Sequence, residues 1–129
     1  MYKTKNFKVS ELYVIQNEIS LLLREKLRAV LRVDTTELLD QISVILKPID
    51  TIRQELYAKY LKAEVDGGKK PTECTEYPQF EKEVIEVLEM EREIKYIPIK
   101  RSYLEFDTDK DYRLIFRLVE KEAHNMELS

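Results

Sequence analysis

The chain of 129 residues has no tryptophan, one cysteine, one histidine, two glycines and four prolines. Each shortage excludes something. A lone Cys74 cannot close an internal disulfide, and its Thr and Glu neighbours offer nothing that would lower a thiol pKa. With so few glycines and prolines, a turn-rich β architecture is disfavoured, whereas 36 % charged residues suit helices with solvated faces. No run of about eighteen apolar residues exists, so no membrane span is expected. The basic residues within 1–8 are not followed by an unbroken apolar core and a small-residue cleavage site, so they do not read as a secretory signal. A net charge of -3 gives no global field for polyanions, and nucleic-acid binding would have to rest on a local basic patch. These absences together fit a reducing, cytosolic setting.

What is present is helical periodicity. The best-written element spans residues 33–64, where Leu38, Ile42, Ile45, Ile49, Ile52 and Leu56 recur at steps of four and three, the seam that one helix offers another in a coiled coil. Its start is signalled by Asp34 as a cap, Glu37 as the capping-box partner and Val33 as a staple against Leu38. At about 1.5 Å per residue such a rod is about 45 Å long and needs a partner helix. Pro48 lies inside it and predicts a kink, not a stop. Asp66, Gly67 and Gly68 end it, a glycine there being free to adopt the left-handed conformation that closes helices.

Upstream, residues 2–8 read as a short extended arm in which Tyr2 and Phe7 fall on opposite faces. Ser10 is placed to cap a first helix with Leu12, Ile15, Ile19 and Leu22 in one stripe, widened by Leu23 and Leu27. Leu21, Leu22 and Leu23 in succession leave at least one leucine off the main face, pointing to a further neighbour or an oligomer. A short connection before Asp34 makes the two helices antiparallel. Downstream, residues 69–77 form a polar loop, and Pro78 suits the first turn of a third helix carrying Phe80, Val84, Val87 and Leu88. Alternation over 94–99 reads as a strand whose Pro98 marks an edge or an end, and which must pair with the N-terminal arm, with 103–106, or with another subunit. Tyr112, Leu114, Phe116 and Leu118 alternate like a strand, whereas Tyr112, Ile115, Phe116 and Val119 follow helical spacing; Thr108 with Asp111 favours a capped C-terminal helix. The expected fold is mainly α with a minor β element. It is one domain, 1–129, comprising a long antiparallel helical hairpin (9–65), a polar loop (66–77) and a helix–strand–helix cap (78–123).

Candidate chemistry is sparse. Asp107, Asp109 and Asp111 imitate the first ligands of a calcium loop, but Tyr112 stands where that loop needs glycine and Leu118 where it needs glutamate, so helix capping accounts for them. Glu86, Glu89, Glu91 and Glu93 have no nucleophilic or basic partner nearby and read as a solvated face. His124 stands in the tail without a second ligand at helical spacing. No catalytic, cofactor or metal site is therefore expected. Lys95, Lys100 and Arg101 with Tyr96 and Tyr103 are the one interleaving of cations and aromatics, a pattern shared by single-strand nucleic-acid sites and by edge strands guarded against aggregation. Tyr57 and Tyr60 combine apolar rings with polar tips, as residues at protein contacts do.

The order of parts resembles a group of small phage- and prophage-encoded helical-hairpin proteins of unknown function. The residues that carry the likeness are Val9-Ser10-Glu11-Leu12, Leu46-Lys47-Pro48, Leu56-Tyr57-Ala58-Lys59-Tyr60, Phe80-Glu81-Lys82-Glu83 with Val87-Leu88, the run 94–99, and 108–111. The longer loop around Cys74 and the basic Lys100-Arg101 depart from it. The resemblance implies a viral or prophage origin, a place in the host cytoplasm or the particle, and a protein that works by contact. The leading expectation is a non-enzymatic homo-oligomer assembled through Leu21, Leu23, Ile52, Leu56 and Tyr60, with a host or phage protein as a possible further partner. The alternative is an inhibitor that binds a host defence protein or sequesters a nucleotide signal along Lys95, Tyr96, Lys100, Arg101 and Tyr103.

Overall fold

The computed structural model describes residues 2–99. The chain is mainly α with a minor β element: strand β1 (Lys3–Lys8), helices α1 (Val9–Leu22), α2 (Ala29–Tyr60) and α3 (Lys62–Asp66), a 3-10 turn (Pro71–Glu73), helix α4 (Tyr77–Leu88) and strand β2 (Glu91–Tyr96). The segment 100–129, including the strand-or-helix question over 112–119, lies outside the described residues.

Strand β1 pairs antiparallel with β2, placing Lys3 opposite Tyr96, Lys5 opposite Ile94 and Phe7 opposite Arg92. Of the three partners expected for β2, the N-terminal arm pairs with it; 103–106 lies outside the described residues. The register puts Phe7, Ile94 and Tyr96 on one face of the pleat, and all three are buried. A further bond from the Val9 amide to the Met90 carbonyl, 2.8 Å, carries the pairing into the first turn of α1. The Lys8 amide donates to the Glu11 carboxylate at 2.9 Å, so α1 starts one residue before Ser10 and Ser10 is not its cap. The expected stripe of Leu12, Ile15, Ile19 and Leu22 is buried, joined by Val9.

Helices α1 and α2 run antiparallel: Tyr13 meets Asp50 and Gln16 meets Ser43, so rising position on one matches falling position on the other. Helix α2 departs from expectation at both ends. It begins at Ala29, which leaves Asp34 inside the helix and not at its N-cap. The physical cause is tertiary. Leu31 is buried in the core, and the Arg32 guanidinium donates to the Leu23 and Glu25 carbonyls at 3.2 and 3.1 Å, holding the α1–α2 connection against the first turn. Buried Thr35 satisfies its hydroxyl by donating to the Leu31 carbonyl at 2.8 Å. At the far end the rod is interrupted at Leu61, whose φ of -118° precedes the short α3. Leu61 is itself buried, and the neighbouring Cys74 thiol points at its carbonyl. Pro48 does not stop α2, which continues through it although residue 48 has no amide to donate to the Val44 carbonyl. At about 1.5 Å per residue, its 32 residues make a rod of about 48 Å.

The buried stripe of α2 is Leu31, Thr35, Leu38, Ile42, Leu46 and Ile49. Leu46 takes the central place expected for Ile45, which is only half-buried beside it. Beyond Ile49 the same side of α2 is only half-buried, at Leu56 and Tyr60, and Ile52, on another side of the helix, is 42 % exposed. Helix α3 closes with a two-bond Schellman arrangement: the Lys69 amide donates to Glu64 and the Gly68 amide to Val65, both at 3.0 Å, with Gly68 at φ +103°. Among the described residues no helix is long and apolar enough to cross a membrane.

Candidate partner-docking surface

Three places on this framework carry side chains that sequence or geometry singles out. The first is the distal half of α2. Where α1 ends its coverage, the Tyr13 hydroxyl donates to the Asp50 carboxylate and the Arg53 guanidinium lies 5.1 Å from the centre of the Tyr13 ring. Burial pushes the Tyr13 phenol up, and the bond to Asp50 pushes it the same way. Past this cluster α2 lies against α4, and between them opens a cleft of about 510 Å³ lined by Asp50, Arg53, Gln54, Tyr57, Phe80 and Val84. No residue of α4 is fully buried; Phe80, Val84, Val87 and Leu88 are half-covered on the side expected to be apolar. The Tyr60 hydroxyl, donating to Glu83, holds that carboxyl below its ordinary value.

The residues expected to form an assembly surface divide here. Ile52 is exposed, and Leu56 and Tyr60 are half-buried on the same distal stretch. Leu21 and Leu23 are half-buried and pack against the core of their own chain. The leucine run therefore finds much of its extra neighbour internally.

The second place is the outer edge of β2. Gln41 on α2 grips the Lys95 main chain with both ends of its amide: Nε2 donates to the Lys95 carbonyl at 2.6 Å, and Oε1 accepts from the Lys95 amide at 2.8 Å. The Lys95 ammonium lies 4.9 Å from the centre of the Tyr2 ring. Tyr96, expected as an aromatic contact residue, is instead 8 % exposed and belongs to the core, because it shares the pleat face of Ile94 and Phe7. A cleft of about 350 Å³ beside this edge is lined by Asp34, Glu37, Gln41 and Lys95, among others. Its carboxylates outnumber its cation. Lys100, Arg101 and Tyr103 lie outside the described residues, as do Asp107, Asp109, Asp111 and His124.

The third is the loop after α3, expected to be a polar connection. One carboxylate organises it. Glu64 receives the Lys69 ammonium at 2.9 Å, the Thr75 amide at 2.9 Å and the Thr75 hydroxyl at 3.0 Å. The Lys69 ammonium first, and then the Thr75 donors, hold the Glu64 carboxyl below the usual carboxylate range. Under this latch Cys74 is 4 % exposed, and burial pushes its thiol up, with the Glu64 charge adding to the effect. That is an inert, packed thiol.

The acidic group Glu86, Glu89, Glu91 and Glu93 is not a paired-carboxylate site. Glu86 is on α4, Glu89 caps its end and forms an ion pair with Lys8 at 2.8 Å, and Glu91 and Glu93 stand exposed on β2. Among the described residues no group of three or more His, Cys, Asp or Glu side chains could hold a metal ion. No family model, curated protein or solved structure matches this chain.

The Tyr13–Asp50–Arg53 cluster, the Gln41 grip and the Glu64 latch were not legible in the sequence. Each joins residues 11 to 54 positions apart, and no local spacing marks such a pair. The one available signal was that Gln41 directly precedes core residue Ile42, which puts it at the polar margin of the buried stripe.

Proposed function

We propose that the protein is a non-enzymatic, phage-type contact protein that self-associates through its long helix α2. The observation that carries this reading is where the exposed apolar side chains fall. Val30, Val33, Val44 and Ile52 are all large, exposed hydrophobics, and all four sit on α2. Scattered single hydrophobics on a surface are ordinary, but among the described residues half of the eight large exposed hydrophobics stand on this one helix, which concentrates apolar area there.

The inhibitor reading along 95–103 has less support. Gln41 already occupies the Lys95 main chain, and the nearby carboxylates of Asp34 and Glu37 oppose an anionic ligand. The test is mass in solution. Light scattering of the full chain across the micromolar range is expected to give a value above the 15.5 kDa of a single chain, rising with concentration. A constant single-chain mass would overturn self-association.

A further inference from the structure

We infer that the outer edge of β1 takes up an acidic extended segment of a partner protein as a third, antiparallel strand, bonded to the Thr4 and Asn6 main chain with its carboxylates facing Lys3 and Lys5. This contact is independent of self-association through α2. The direction of the β1 main chain follows from its neighbour. Gln41 holds both the amide and the carbonyl of Lys95, so Lys95 and its partner Thr4 form the kind of antiparallel pair that exchanges no bonds between its two members. The Thr4 amide and carbonyl therefore point away from β2, and by alternation so do those of Asn6 and the amide of Lys8. Two bonds agree with this phase: the Lys8 amide donates outward to the Glu11 carboxylate at 2.9 Å, and the Val9 amide donates across the sheet to Met90 at 2.8 Å.

The two edges of the sheet are thus unlike. Gln41 closes the outer edge of β2, whereas among the described residues nothing bonds the outward amides and carbonyls of Thr4 and Asn6. Their side chains are exposed, which leaves this edge accessible. Such groups are a template for another strand, and an antiparallel one takes them as two doubly bonded pairs.

Charge selects the occupant. Residues 2–8 carry three lysines and no acidic side chain. A second copy of the edge is a poor match: bonding Thr4 to Asn6 of the other copy sets Lys5 opposite Lys5, and bonding Thr4 to Thr4 sets Lys3 opposite Lys5, like charges face to face. Bonding Asn6 to Asn6 needs the Lys8 amide, which Glu11 already holds. An added strand with acidic residues at alternate positions instead brings a carboxylate opposite Lys3 and another opposite Lys5, with Cβ atoms about 4.5–5.5 Å apart. Its intervening residues lie beside Thr4 and Asn6 on the solvent side. Of the two rings on this arm, Phe7 is buried and Tyr2 already has the Lys95 ammonium over its face, which favours a peptide over single-stranded nucleic acid.

Fluorescence anisotropy of a labelled hexapeptide of alternating glutamate and threonine, titrated with the full chain, tests this. Saturable binding with a Kd below about 1 mM is expected, and none with the lysine–threonine counterpart. Asn6→Pro removes an outward amide that β2 does not use and is expected to weaken binding about tenfold, and Lys3→Glu about fivefold. Far-UV circular dichroism checks that each variant is folded, and a change made in the peptide avoids the question altogether. N-methylation of its threonines, whose amides face β1, is expected to abolish binding, whereas N-methylation of its glutamates, whose amides face solvent, leaves it within about threefold. Absence of saturable binding, as when the lysines only keep the edge unpaired or residues 100–129 occupy it, overturns the strand addition. So does equal binding of the two methylated peptides, which marks a charge contact alone, or an oligothymidylate that binds more tightly than the peptide and is indifferent to Asn6→Pro. Light scattering of the same samples reads self-association separately, so either contact can fail without the other.

Discussion

Replacing Gln41 by glutamate is the most discriminating change to the strand edge. Gln41 supplies β2 with the hydrogen bonds that a third strand would make, one donated and one accepted at Lys95. Alanine removes both. A hydrogen bond of this kind contributes about 0.5–1.5 kcal/mol net, and since water can reach this half-buried edge, Gln41→Ala should cost about 1–2 kcal/mol in all. Glutamate has nearly the same shape but a different inventory. One oxygen still accepts from the Lys95 amide, while the other takes the place of Nε2, now 2.6 Å from a carbonyl oxygen that it cannot bond when ionised. At neutral pH, Gln41→Glu should therefore destabilise at least as much as Gln41→Ala. With a urea dependence of about 2 kcal/mol per molar, the unfolding midpoint of Gln41→Ala should fall by about 0.5–1 M and that of Gln41→Glu by at least as much.

Acidification separates the two variants further. A protonated glutamate regains an O–H donor for the Lys95 carbonyl, so the folded state favours the proton and raises that carboxyl above its unfolded value. The penalty is full above the raised folded pKa and disappears as pH falls through the unfolded one. The gap between Gln41→Glu and the unsubstituted protein should close in acid, while the alanine variant gains nothing from this source. Hydrogen exchange at the Lys95 amide gives the local readout, protected in the unsubstituted protein and fast in Gln41→Ala. A Gln41→Glu variant as stable as the parent at neutral pH would refute the reasoning, since the donor role of Nε2 would then count for nothing.

Two further outcomes follow from the packing and from the loop latch. Ile42 is fully buried at the middle of the α2 stripe, so Ile42→Ala should cost about 2–5 kcal/mol in chemical unfolding; a loss well under about 1 kcal/mol would mean that the site is not core. Glu64 has its folded-state carboxyl lowered by the Lys69 ammonium and by Thr75, so its contribution is present above the unfolded carboxylate pKa and lost as pH falls through the lower folded value. Glu64→Gln removes that contribution at every pH, and the readout is alkylation of the single cysteine at neutral pH. Cys74 should react slowly in the unsubstituted protein and faster in Glu64→Gln, whereas equal rates would show that the loop does not depend on this carboxylate.

Local signals served well where the answer is local. Pro78 lies in the first turn of α4, Gly68 has the positive φ that ends α3, and the Leu12–Ile15–Ile19–Leu22 stripe is buried. They misled where tertiary contacts outweigh them. Asp34, Glu37 and Val33 form a sound N-terminal signature, yet α2 starts at Ala29, because burying Leu31 and fastening Arg32 to two loop carbonyls outweighs the roughly 1 kcal/mol of a cap. Ile45 and Leu46 lie about 100° apart on opposite flanks of the buried stripe, and only the position of α1 decides that Leu46 is the buried one.

Periodicity alone thus determined that the chain builds two long antiparallel helices, a third amphipathic helix and a strand, since apolar spacing dictates which residues must leave water. The partner of that strand, the true start of α2, the cover over Leu21 and Leu23, and the side chains that join across the fold at Gln41, Glu64 and Tyr13 were decided only by tertiary structure. Those depend on distances between segments remote in sequence, and a linear pattern carries no information about which two solvent-compatible polar groups will meet.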